Sequence, residues 1–145
     1  MSRRKWLKWG SVFLLGGLSF IQLIPYGRAH TNPPVTAEPL WDTAATRDLT
    51  VGACFDCHSN ETEWPWYTNI APFSWMVERD VDEGRRKLNF SEWGRGEHET
   101  DDIVESVEEG EMPPVYYGWV HSSARLTEAE RRQFVGGLRA TFGGG

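Results

Sequence analysis

Cys54-Phe55-Asp56-Cys57-His58 holds the only two cysteines of the 145-residue chain and sets an imidazole directly behind the second. Residues at i, i+3 and i+4 of a helical turn share one face, so this spacing turns two thiols and one imidazole to the same side. C-x-x-C-H is the attachment pattern of c-type haem. Cys54 and Cys57 are expected to form thioethers with the two vinyl groups, and His58 to stand beneath the iron as the proximal axial ligand. Two other chemistries use the same residue types. A closed structural zinc site needs four ligands, and the remaining histidines, His30, His98 and His121, form no second paired motif. A thiol-disulfide centre is expected in a βαβ context, which the helical patterning of this chain does not provide.

N-terminal to this motif, residues 1–28 carry Arg3, Arg4, Lys5, Lys8 and Arg28 and no acid, and Trp9 to Ile24 is an uncharged, mostly apolar run. A basic head before an apolar run is the pattern of a signal peptide or a membrane anchor. Gly27-Arg28-Ala29 is a poor small-x-small cleavage site, so an uncleaved single-pass anchor in a bacterial cytoplasmic membrane is the favoured expectation. The domain would then face the periplasm or cell exterior, the alternative being a soluble periplasmic form released by cleavage. Residues 29–40, with Pro33, Pro34 and Pro39, read as an extended linker. Residues 41–145 are left for one small domain.

Within that domain the periodicity is helical. A helix is predicted from Asp42 or Thr43, with Trp41, Ala45, Leu49 and Gly52 or Ala53 on one side, running into the Cys54 turn. Trp64-Pro65-Trp66-Tyr67 cannot lie inside a helix because of Pro65 and reads as an aromatic loop, a wall for a small core or for a cofactor. From Pro72, the spacing of Phe73, Val77, Val81, Gly84 and Leu88 predicts an amphipathic helix. Arg85, Arg86 and Lys87 at its end suit a solvated face or a pair of propionates. Asn89 to Gly96 breaks this helix, with Phe90 and Trp93 as anchors. Glu97 to Glu111 contains eight acids and no Lys or Arg, and Ile103, Val104 and Val107 mark one face of an acidic helix that ends at Gly110. Thr127-Glu128-Ala129-Glu130 is a capping box opening a last helix with Phe134, Val135, Leu138 and Phe142 inward. No strand is predicted, so the class is mainly α. The first and last helices of the domain are expected to cross near Gly52, Gly136 or Gly137.

Gly110 to Arg125 is a long irregular connection, which marks it as functional, and it carries Met112-Pro113-Pro114. The Met112 thioether is a soft, neutral donor suited to low-spin haem iron, so Met112 is the expected second axial ligand; a gap-filling core methionine is the plainer use of the residue. Met76 lies beside the apolar stripe of its own helix and reads as core. His98 and His121 read as surface histidines, either of which could replace Met112.

The basic head conceals the charge of the domain. After residue 28 the chain has ten basic against 21 acidic residues. Nucleic acid is excluded as a partner by that balance, whereas a basic redox protein could be steered to the acidic run. No general acid, nucleophile or phosphate-binding loop stands out, so an electron carrier is expected rather than a catalyst. The rival readings are a peroxidase-like haem enzyme or gas sensor with an open or labile sixth position, and an assembly module whose haem is structural.

The continuous run from Cys54 to Trp75, CFDCHSNETEWPWYTNIAPFSW, resembles the bacterial haem-binding domain family of small, exported, membrane-anchored proteins. The resemblance continues through Asn89-Phe90-Ser91-Glu92-Trp93, Glu111-Met112-Pro113-Pro114 and Leu126-Thr127-Glu128-Ala129-Glu130. It implies a cytochrome c-like helical domain around one covalently bound haem. Cys54 and Cys57 match the attachment cysteines, His58 the proximal ligand and Met112 the methionine on the opposite face.

Overall fold

Helix formation in this chain follows its caps and its prolines. The structure, a computed structural model, describes residues 3–95 and 98–143, and its α-helices are α1 (Arg3–Ile21), α2 (Ala44–Ala53), α3 (Phe55–His58), α4 (Phe73–Lys87), α5 (Thr100–Glu108) and α6 (Glu128–Phe142). Among the described residues there is no strand, only an isolated parallel bridge between Ala37 and Glu92. The fold is mainly α. Gly96, Glu97, Gly144 and Gly145, which belong to the expected breaker loop, acidic helix and glycine tail, lie outside the described residues.

The chain divides into two compact units, Met1–Thr31 with Trp64–Asp80, and Asn32–Glu63 with Val81–Gly145. In the first, α1 ends at Ile21, and Gln22 then pairs with the backbone of Ala71, donating to its carbonyl at 2.8 Å and accepting from its amide at 3.0 Å. Gly27 adopts φ +78° and lies against the Ser74 carbonyl, where no side chain fits. Trp64 stacks on His30 at 4.7 Å, and the His30 ring meets the Thr68 hydroxyl at 3.0 Å. Trp66 opens a 3-10 turn and is 76% exposed, so it does not wall a core. Met76 is exposed as well, because the buried positions beside it are Ala71 and Ser74.

The expected single-pass membrane anchor is overturned here. No helix among the described residues is long and apolar enough to cross a membrane. In α1 the uncharged part is only Trp9–Ile21, about 20 Å of helix against a hydrocarbon core of about 30 Å, and Gly10, Ser11, Gly16, Gly17 and Ser19 dilute its hydropathy.

In the second unit, residues 32–40 are extended but tied down. Asn32 donates to the Thr62 carbonyl at 2.9 Å, and the amide of Thr36 donates to Ser91 at 2.8 Å. Glu38 receives both a 2.8 Å bond from Arg47 Nε and one of 2.8 Å from Arg47 Nη2. Helix α2 starts at Thr43, whose hydroxyl accepts from the Thr46 amide, as an N-cap does. Its buried face is Thr46, Thr50 and Ala53; of the expected stripe, Ala53 is in the core and Trp41 and Leu49 pack against it, Ala45 is exposed, and the two threonines are additional. Thr46 is covered at the crossing with α6: Gly137 lies so close to Thr46 that a Cβ would overlap its side chain, whereas Gly136 faces open space and Gly52 faces Ser123. The core gathers Ala53, Val104, Val107, Phe134, Val135 and Leu138 from α2, α5 and α6. The capping box at Thr127 and Glu130 is complete, and Gly110, at φ +79°, follows the end of α5.

Candidate functional site

The turn that carries the cysteines is built by hydrogen bonding at Cys54. Its amide donates to Thr50 at 2.8 Å and so ends α2, while its carbonyl accepts from Cys57 and His58 at 3.2 and 2.8 Å and so begins α3. Phe55 is 3% exposed and stacks on Phe90 at 5.8 Å, which in turn stacks on Trp93. One apolar residue thus pins the turn, with Cys54 at its non-helical cap, φ -128°, and Cys57 and His58 within α3. Gly84 of α4 packs directly on the Cys57 carbonyl, with no room for a Cβ.

Cys54 and Cys57 form no disulfide and are each half-buried. Burial, and after it the proximity of Cys57, pushes the Cys54 thiol up to about 12, so it holds its proton at neutral pH. His58 Nδ1 lies 3.1 Å from the Leu88 carbonyl oxygen. A carbonyl only accepts, so Nδ1 carries the hydrogen and Nε2 keeps the lone pair. Burial holds the imidazole below the usual histidine range, with the backbone bonds to Leu88 and Gly84 opposing and Lys87 reinforcing. This is the neutral, oriented form in which histidine binds a metal, with a carbonyl fixing its tautomer.

Met112 is partly buried and packs against the α2, α5 and α6 core, as Cys54 does. Its amide donates to Ser106 at 3.0 Å, which ties the loop to α5. The structure therefore brings Met112 and Cys54 to the same cluster, whereas His58 is tied to Leu88. The other candidates for the second ligand are not simple surface groups. His98 stacks on Trp93 at 4.1 Å and its Nε2 lies 3.0 Å from the Trp93 carbonyl. His121 stacks on Tyr117 at 4.1 Å. Arg85 is not a solvated end of its helix either: it donates to Ser59 at 2.7 Å, to Thr62 at 2.9 Å and to Asn32 at 3.0 Å.

The sequence reading missed Asp56. Its Oδ1 accepts from the Glu63 amide at 2.8 Å, its Oδ2 from the Tyr117 hydroxyl, and His121 Nδ1 lies 3.7 Å from Oδ2. The only signal was an acid placed between the two cysteines. Among the described residues no group of three His, Cys, Asp or Glu is placed to hold a metal ion, so the donors do not assemble the zinc alternative.

Two cysteines outside any disulfide and a half-buried, neutral imidazole on one turn, beside an aromatic-rich helical core, make a donor set that fits haem. The model of the haem-binding domain family matches residues 16–140, and the chain belongs to that family. No curated protein and no solved structure matches it.

Proposed function

We propose that this haem-binding protein is a monohaem c-type electron carrier with a cytochrome c-like arrangement, Cys54 and Cys57 holding one haem through thioethers and His58 and Met112 as its axial ligands. The observation that carries the reading is the His58 Nδ1 bond to Leu88, which leaves the lone pair on Nε2, on the turn that carries both cysteines. When bound, the haem supplies a one-electron couple at its iron. The chain contributes position and electrostatics. Burial keeps the imidazole neutral and the Leu88 carbonyl fixes its orientation, Phe55 and Phe90 pack over the turn, and the Met112 thioether offers a soft donor from a loop that Ser106 holds. A ligand pair fixed in this way favours electron exchange without a change of coordination.

The optical spectrum of the haem-loaded protein tests this, taken oxidised and reduced, with and without carbon monoxide. A six-coordinate low-spin haem that resists carbon monoxide is expected. Ready binding of carbon monoxide by the untreated protein would replace electron transfer with the enzyme or sensor alternative.

A further inference from the structure

The Asp56 side chain sits in the middle of the cysteine turn, yet neither of its oxygens is spent within that turn. Oδ1 takes the Glu63 amide at 2.8 Å. Oδ2 takes the Tyr117 hydroxyl, across 61 residues of sequence. His121, whose ring lies flat on Tyr117 at 4.1 Å and 12°, puts Nδ1 3.7 Å from the same oxygen. Asp56 and His121 are only 20% and 18% exposed at their side chains, so the cluster is largely shielded from water, where a charge-assisted hydrogen bond is strong. Tyr117 and His121 belong to the segment that Met112 begins. That segment returns on itself through Tyr117 N–H to Pro114 and His121 N–H to Tyr117, so the position of Tyr117 is passed back toward Pro114 and Met112. On its outer side Val115, Trp119 and Val120 are 72%, 76% and 68% exposed and give the segment little apolar anchorage of its own.

We propose that Asp56 is a positioning residue: through Tyr117 and His121 it latches the Met112–His121 segment to the cysteine turn, and so slows the departure of Met112 from the iron. One carboxylate would then couple the two segments that carry the proposed ligands, since Asp56 belongs to the same turn as Cys54, Cys57 and His58. The inference rests on the reading of Met112 as an axial ligand.

The test uses the oxidised haem-loaded protein and the rate at which added imidazole binds the iron, a rate limited by Met112 leaving. Tyr117→Phe deletes the hydroxyl and keeps the ring stack on His121. It should speed imidazole binding about tenfold, the factor carried by one hydrogen bond to a charged group. Asp56→Ala should match or exceed that increase, and the double variant should be no faster than Asp56→Ala alone, because the two changes break one interaction. A wild-type rate in Tyr117→Phe, or effects that simply multiply in the double variant, overturns the latch. A fall in thermal stability without faster imidazole entry also overturns it, since it would mark an ordinary structural contact. Met112→Ala separates the premise from the latch. If Met112→Ala binds imidazole far faster than wild type while Tyr117→Phe does not, only the latch is wrong; if Met112→Ala is no faster, the ligand assignment falls and the latch with it.

Discussion

Gly84 stands against the carbonyl of Cys57 so closely that a Cβ at position 84 would overlap that backbone group. In an open helix interior, replacing glycine by alanine stabilises by up to about 1 kcal/mol. At Gly84 the sign reverses, because backbone cannot swing aside as a flexible side chain can. Gly84→Ala is expected to destabilise by roughly 1–3 kcal/mol, the usual cost of overpacking. Gly136→Ala in α6, where nothing lies within 4 Å of the added carbon, is expected to be neutral or stabilising. Urea unfolding of the two variants checks the pair, and an equal response at both positions would contradict the packing of α4 on the turn.

Covalent attachment predicts that haem survives denaturation. The haem-loaded protein should keep its haem stain through denaturing electrophoresis, and acid with organic solvent should extract none of it. Cys54→Ala together with Cys57→Ala should release all of the haem under the same extraction. Complete extraction from the unaltered chain would show that His58 and Met112, if they bind the haem at all, do so without thioethers.

Acid should weaken the fold in part through Glu38. Its two-pronged hydrogen bonding from Arg47, assisted by the Trp41 indole and opposed by burial, holds its carboxyl below the ordinary value of 4.5. A depressed folded value means that the unfolded chain takes up the proton first. The contribution is therefore complete above pH 4.5 and is lost as pH falls through the folded value. Because the Arg47 side chain is 40% exposed, solvent screening limits the pair to about 1 kcal/mol. Glu38→Gln should cost about that much at pH 7 and nothing once the pH is well below the carboxylate range, as read from urea midpoints at both.

A basic redox partner would meet the acidic face of α5. Asp101 and Glu105 on this helix and Glu109 at its end are exposed, while Glu108 is already engaged by Arg139 at 2.6 Å. Changing Asp101 to Asn and Glu105 and Glu109 to Gln should slow reduction of a cationic cytochrome and flatten its dependence on ionic strength, since steering fades with screening. Identical rates and salt slopes would leave α5 as a solvated face.

Local chemistry made much of this protein legible from its residues alone. The cysteine turn, the α6 capping box, the stop at Gly110 and the apolar face of α5 depend on neighbours within about one or two helical turns, and spacing reports such neighbours directly. Periodicity also says which residues share a face, but not whether that face is covered. Trp66 and Met76 are expected inside and are exposed, while Thr46 and Thr50 are buried, Thr46 because α6 brings Gly137 against it. The uncharged run of α1 has the pattern of an anchor, but the helix ends at Ile21, where Gln22 pairs with the Ala71 backbone, and is not long and apolar enough to cross a membrane. His58 was visible as a ligand candidate; the Leu88 carbonyl that sets its tautomer, the Asp56 contact with Tyr117 and the meeting of Met112 and Cys54 at one core were not. These pairings join residues far apart in sequence. No local pattern encodes them, because the free energy that selects them is gained only when the separate helices pack together.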